Sequence, residues 1–396
     1  MKRIRNRNII LIFGVISMLF AGIIYAWSIL KAPLGEEQGY LPTELALNYT
    51  LTMCAFCLGG LGGSMLSRKV GVRAAIILGG AIAGFGICLT GSLGGGSALL
   101  LYLCYALMGG GGIGILYNVI ISSVSSHFPD KKGLCSGCLM MGFGLSALLL
   151  GNLAGGLFDL EQVGWRATFI MIGITLAVVM VAVSFVIYRA EDTAVQSSTQ
   201  ESCGKEYSPK EMLAHPSFRM AFIALVCLTA VGSAVISFAK DLALAVGAEA
   251  AVATTLVGVL SVCNGLGRII TGRAFDLLGR RKTMLAASIV TLLAAAVTLL
   301  AVYTRSLGLC IVGLCLTGIS YGSSPTVSSA LVSEFYGRKH FATNFSIMNF
   351  NLIGASFAAT ACSGLMTLSG GYLYPFLMLL CLATAALMLN VTIKKP

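Results

Sequence analysis

The sequence predicts an all-α membrane protein with twelve transmembrane helices, arranged as two pseudo-symmetric six-helix halves. Three observations carry this. The 396 residues are 57% hydrophobic and only 10% charged, a composition of polytopic membrane proteins and not of large soluble enzymes. Apolar runs long enough to cross about 30 Å of hydrocarbon as helix recur along the whole chain. One loop motif also occurs twice, at matching places in the two halves.

The first six runs are read at 8–30, 45–67, 74–93, 98–126, 134–158 and 167–188. The other six fall at 220–239, 251–275, 283–303, 307–333, 341–368 and 373–392. The opening Met-Lys-Arg-Ile-Arg-Asn-Arg is similar to the start of a secretory signal peptide, but the apolar run behind it continues past Trp27, longer than such segments are. It is therefore read as the first span. A polar stretch between the sixth and seventh runs sets the expected organisation: an N-terminal half at 1–189, a linker at 190–216 and a C-terminal half at 217–396. Within the linker, Ser208-Pro-Lys-Glu211 offers a capping serine, proline at the first helical position and glutamate three residues after the cap. A short surface helix is expected over 209–213.

The Lys and Arg distribution sets an orientation. With the N-terminus inside, inside segments hold 21 of the 26 basic residues, Lys31, Arg166, Lys240 and Arg305 lie outside, and Arg268 completes the count. That bias predicts both termini in the cytoplasm of a multi-pass protein of the cell membrane. The net charge of +11 is then a topology signal and not a nucleic-acid footprint. Trp27 and Trp165 fall near the outer boundary, where an aromatic belt is expected. The pairs Cys54/Cys57 and Cys135/Cys138 have redox or zinc spacing, yet they lie at different depths of different helices, so they are read as packing residues with no metal site or cofactor. The glycine-rich runs at 59–63, 109–114, 142–144 and 151–156 fit close helix crossings.

The repeat is read from two loops. Gly272-x-x-x-Asp276-Leu-x-Gly279-Arg280-Arg281-Lys282 follows the eighth run and Ser64-x-x-x-Arg68-Lys69-x-Gly71-Val-Arg73 follows the second, which gives an offset of 279 − 71 = 208. The offset maps Arg268 onto Gly60. Arg268 is the one charged side chain well inside a span, where a cation costs about 2.5–3.5 kcal/mol and normally faces a cavity with a partner. No acidic residue lies inside a span to provide one, so the expected counter-charge is a small organic anion that comes and goes. A structural role for Arg268, bonded to helix-end carbonyls, stays open.

The Gly-x-x-x-Asp-x-x-Gly-Arg-Arg loop, its degenerate copy and the six-plus-six spans resemble the major facilitator superfamily over the whole chain. Within it, four stretches resemble the oxalate/formate antiporter and bacterial monocarboxylate transporter group. They are Ile24-Tyr-Ala-Trp-Ser28; His127 to Gly137 with Gly142-Phe-Gly144; Tyr207 to Leu213; and Ile319-Ser-Tyr-Gly322…Pro325 with Phe335-Tyr-Gly337 and Asn344-Phe-Ser346. The resemblance implies that Arg268 binds a substrate carboxylate, that Tyr117 and Tyr321 add hydrogen bonds, and that Tyr25 lines the outer path. Packing alone remains an alternative for both Tyr117 and Tyr321. Gly272, Asp276, Gly279, Arg280 and Arg281, with Lys282, are expected to form a loop-locking charge network on the cytoplasmic face.

Two departures bear on the substrate. Oxalate-specialised members carry a second cation in the eleventh span where this chain has Leu352, and one fixed charge suits a monoanion better than a dianion in a low-dielectric site. Animal monocarboxylate transporters tend to have Asp one turn before the arginine; here Asn264 stands at i−4 on the same face, able to donate without titrating, or to act as interhelical glue. The resulting expectation is a non-enzymatic, monomeric secondary transporter of small monocarboxylates such as lactate, pyruvate or formate, with an oxalate/formate-type exchanger as the alternative. Protons are the candidate coupling ion, and no nucleic-acid partner is expected.

Overall fold

The computed structural model describes residues 6–158, 160–190, 206–394 and 396, and every regular element among them is helical. Among the described residues, ten helices are long and apolar enough to cross a membrane: Arg7–Ala26, Leu47–Gly91, Ala98–Ser125, Gly133–Phe158, Gly164–Val183, Pro216–Ser237, Thr255–Thr304, Leu307–Phe335, Phe341–Met366 and Leu373–Thr392. Two of these are double. The backbone leaves the helix at Gly71 (φ 86°, ψ 163°) inside the second and at Gly279 (φ 76°, ψ 172°) inside the seventh of them. These angles are open in practice only to glycine. Ten plus two gives twelve spans, and the two breaks are the paired glycines of the repeated loop. Spans two and three are thus 47–70 and 72–91, and spans eight and nine are 255–278 and 280–304. The loops expected at 68–73 and 276–282 shrink to one residue each, because hydropathy marks where the charge lies and not where the helix stops.

Contacts divide the chain into two compact units. The first comprises Met1–Asp130, Gly142–Cys203 and Phe345–Ile347; the second comprises Lys131–Met141, Gly204–Asn344 and Met348–Pro396.

In the first unit, spans two, three and four cross on glycines. A Cβ added at Gly59 would overlap the Gly111 backbone, one at Gly114 the Phe56 backbone, and one at Gly112 the backbone of Gly79 and Ala83. Such crossings let helices approach until main chains touch, which supplies the dispersion energy that apolar lipid cannot. Both tryptophans here depart from the belt expectation. Trp27 is buried with its indole N–H donating to the Leu45 carbonyl at 3.1 Å, and buried Trp165 donates to Glu37 Oε2 at 2.7 Å. Each N–H finds an acceptor inside the protein, so the rings pack inward.

In the second unit, the surface helix forms as Pro209–Ala214. The Ser208 hydroxyl accepts from the Glu211 N–H at 3.4 Å, and the Glu211 carboxylate accepts from the Ser208 N–H at 2.7 Å. The remainder of the expected linker, 191–205, lies outside the described residues. Span eleven is interrupted at Phe350, between Phe341–Asn349 and Asn351–Ser369. Asn351 answers the interruption: its amide donates to the Met348 carbonyl at 2.6 Å and accepts from the Thr229 hydroxyl at 3.2 Å. Backbone groups freed inside a membrane need such partners.

Candidate functional site

Arg268 lies in the second unit on span eight and is only 2% exposed. Its Nε donates to Asn264 Oδ1 at 3.3 Å, one turn back on the same helix, and Nη1 donates to the Met140 carbonyl oxygen of span five. No described carboxylate pairs with it. The other guanidinium N–H groups have no described partner, although a guanidinium is built to fill all of its donors. Sequence reasoning identified the missing counter-charge and placed Asn264 on the same face, as a donor to substrate or an interhelical contact and not as an acceptor for Arg268. It could not identify Met140, because a backbone carbonyl carries no side-chain signature.

Two glycine seams fix the arginine. Added Cβ atoms at Gly133 and Gly272 would each overlap the other's carbonyl, and one at Gly137 would overlap the Arg268 carbonyl. Gly133 and Gly137 of span five thus run antiparallel to Gly272 and Arg268 of span eight as a small-xxx-small seam. On the other side, a Cβ at Gly322 of span ten would overlap the Asn264 carbonyl and press on the Arg268 N–H, and one at Gly318 would overlap the Leu260 carbonyl. Half-buried Tyr321 sits beside this second seam with its ring base against Gly232 of span seven. The structure therefore brings Asn264, Arg268 and the Tyr321 turn together.

This packing makes a prediction. Gly322→Ala should reduce Tm by several degrees and lower about tenfold any activity that depends on Arg268, since overpacking a tight crossing costs about 1–3 kcal/mol. Gly364→Ala, where an added Cβ has nothing within 4 Å, should change neither. A normal Gly322→Ala protein would mean that the seam does not hold Arg268 in place.

The loop motif resolves differently from a charge network. Asp276 accepts from the backbone N–H groups of Gly133 at 2.9 Å and Leu134 at 2.8 Å. It caps the start of span five, where an anion meets unpaired N–H groups and the positive helix end. Arg280 donates to the Ile393 carbonyl at 3.3 Å and stands over the Phe335 ring at 4.8 Å. Gly272 serves the seam and Gly279 the break, and no contact of Arg281 bears on the site.

Tyr117 and Tyr25 lie in the first unit. Tyr117, 5% exposed, meets the rings of Phe56, Phe143 and Phe345 at 5.0, 5.0 and 6.1 Å between centroids, and Tyr25 meets Phe143 edge-on at 5.1 Å. Beside Tyr117, the Asn118 amide donates to Ser346 Oγ at 2.7 Å and Ser346 donates to the Gly60 carbonyl at 2.9 Å. Gly60 is the repeat equivalent of Arg268. Where the second unit holds a cation, the first holds a bare backbone that accepts one serine. Asn118 escaped sequence reasoning because it does not stand out in type or spacing, and Ser346 was marked only as part of the Asn344-Phe-Ser346 stretch, with no partner.

Comparison with known proteins agrees with this architecture. The profile of the Major Facilitator Superfamily matches residues 10–243 and again 220–396. The chain is 26% identical over 343 residues to the oxalate:formate antiporter of Oxalobacter formigenes, covering 86% of this chain and 80% of that one. It is 28% identical to monocarboxylate transporter 12 of Xenopus laevis over 141 residues, 35% of this chain and 30% of the other. Among solved structures, the proton:xylose symporter XylE superposes with a TM-score of 0.74 at 14% identity, covering 98% of this chain and 95% of that one. The Escherichia coli fucose:proton symporter gives 0.71 at 13%, covering 99% and 100%. At such identities the two sugar symporters speak for the fold alone. The doubled profile match over nearly the entire chain places this protein in the Major Facilitator Superfamily of transporters.

Proposed function

We propose that the protein is a secondary active transporter of small monocarboxylates of the lactate, pyruvate or formate class. The observation that carries the reading is Arg268: a buried cation with unfilled donors and no described carboxylate, in a family whose members are transporters. A carboxylate offers the planar two-oxygen acceptor that a guanidinium matches. Asn264 and Tyr321 would orient the bound acid, while Tyr117 and Tyr25 would line the path in the N-terminal half. Alternating access would come from rocking of the halves 1–189 and 217–396, joined by the linker 190–216. The Lys and Arg bias supports a cell-membrane protein with both termini in the cytoplasm.

A second reading, oxalate/formate-type exchange, is favoured by the antiporter relative that covers 86% of the chain. Leu352 speaks against it, because a dianion facing one fixed cation keeps half its charge uncompensated. Proteoliposomes offered labelled formate, lactate, pyruvate and oxalate, with and without a pH gradient, separate the readings. Monocarboxylate uptake that excess oxalate does not inhibit supports the first; oxalate uptake exchanging with formate supports the second. In the same assay Leu352→Lys should raise oxalate inhibition of lactate uptake several-fold. No rise would remove position 352 from the site.

A further inference from the structure

Three neutral polar side chains of the second unit are buried and hydrogen-bonded to one another: Thr229 of span seven, Ser324 of span ten and Asn351 of span eleven. Spans seven and ten run antiparallel here. The Tyr321 ring base lies against Gly232, and three residues further along span ten and three back along span seven, the Ser324 and Thr229 hydroxyls share a hydrogen bond. Residues three apart lie on one face of a helix, about 4.5 Å apart along its axis. The hydroxyl pair therefore continues the face that carries Tyr321, while Gly322 of the same turn packs against Asn264 and Arg268.

The partners set the direction of each proton in this cluster. Met348 offers a carbonyl oxygen, which only accepts, so the Asn351 amide turns its nitrogen to Met348 at 2.6 Å and its Oδ1 to Thr229 at 3.2 Å. Oδ1 also only accepts, so the single Thr229 proton goes to Asn351. Thr229 Oγ1 then has only lone pairs for Ser324, and the single Ser324 proton goes to Thr229. Among the described residues nothing donates to Ser324 Oγ. The chain of bonds thus ends in a buried hydroxyl oxygen that can accept but has no proton left to donate.

We propose that Ser324, oriented by Thr229 and Asn351, is a specificity-determining residue that selects 2-hydroxy monocarboxylates, such as lactate or glycolate, over 2-oxo acids such as pyruvate. This rests on the transport reading, with the substrate carboxylate on Arg268. A 2-hydroxyl has a proton to place on Ser324 Oγ. A 2-oxo group sets lone pairs against lone pairs, and formate has no second polar group at all. A site built to hydrogen-bond a substrate group discriminates against the analogue that lacks it, because the buried partner is then left unpaired. Thr229 is a positioning residue: it holds the Ser324 proton away from the ligand.

Proteoliposomes of the full protein, offered labelled lactate, pyruvate and formate at equal pH, supply the test. Wild type should show a KM for lactate about tenfold below that for pyruvate, a comparison that needs no variant. Ser324→Ala should raise the lactate KM about tenfold and move those for pyruvate and formate by less than about twofold. Thr229→Val leaves the Ser324 proton without its acceptor and free to meet an oxo group, so it should lower the pyruvate KM about fivefold. A cluster that only holds helices together would shift all three acids in parallel. Such a parallel shift, or equal KM values for lactate and pyruvate in wild type, overturns the proposal and leaves monocarboxylate transport standing. A pyruvate KM that Thr229→Val leaves unchanged or raises overturns the orienting role of Thr229. No uptake of any of the three acids removes the transport reading, and the proposal with it.

Discussion

Arg268→Gln should abolish carboxylate uptake, by about a hundredfold or more, while the protein still inserts and folds. The magnitude follows from removing one partner of a buried, charge-assisted pair, which costs about 3–5 kcal/mol. Folding should survive because a glutamine amide can still donate to the Met140 carbonyl or to Asn264 Oδ1, the two groups that hold the guanidinium. The substitution also relieves a span of an unpaired cation. Lysine should rescue poorly, since it presents a point charge where two parallel N–H groups are needed. The assay pairs uptake with size-exclusion behaviour and Tm. Wild-type uptake by the glutamine variant would remove Arg268 from the site; a variant that cannot be recovered folded would make the Met140 bond a structural strut.

The outcome at Arg268 also shows where sequence stops being informative. Twelve spans were legible because hydrophobic length is a local property, and Gly71 and Gly279 were legible as paired positions of a repeat, but not as one-residue breaks, because charge and hydropathy do not mark where a backbone leaves the helix. Asn264 was legible because i and i+4 share a helix face. The seam of Gly133 and Gly137 against Gly272 and Arg268 was not, because it joins residues more than a hundred positions apart through main-chain atoms. For the same reason the partners of Asp276 were misjudged. Neighbouring charges suggested an ionic network, whereas the carboxylate goes to the N–H groups of a distant helix start. Trp27 and Trp165 are a further case, since an indole placed by depth alone gives no hint of the Leu45 carbonyl or the Glu37 carboxylate that draws it inward.

The empty carrier poses the last question, and Arg268 answers it with a direction. Within the protein, the guanidinium has one 3.3 Å bond to an amide oxygen and one to a backbone carbonyl, and its remaining N–H groups have no described acceptor. Neither acceptor carries a charge. Occluding that cation from water on the return step leaves it uncompensated, a penalty of about 3–5 kcal/mol that a bound carboxylate would offset. A barrier higher by even half of that slows the unloaded step more than about tenfold. Proteoliposomes preloaded with unlabelled formate or lactate should therefore take up the labelled acid about tenfold faster than empty ones at equal pH. The stimulation should disappear together with all uptake in Arg268→Gln, which ties it to the same cation. Equal rates from empty and loaded vesicles, with strong acceleration by an inward proton gradient, would show that a proton-coupled return is not limited by the bare arginine and would make the protein a symporter instead of an exchanger.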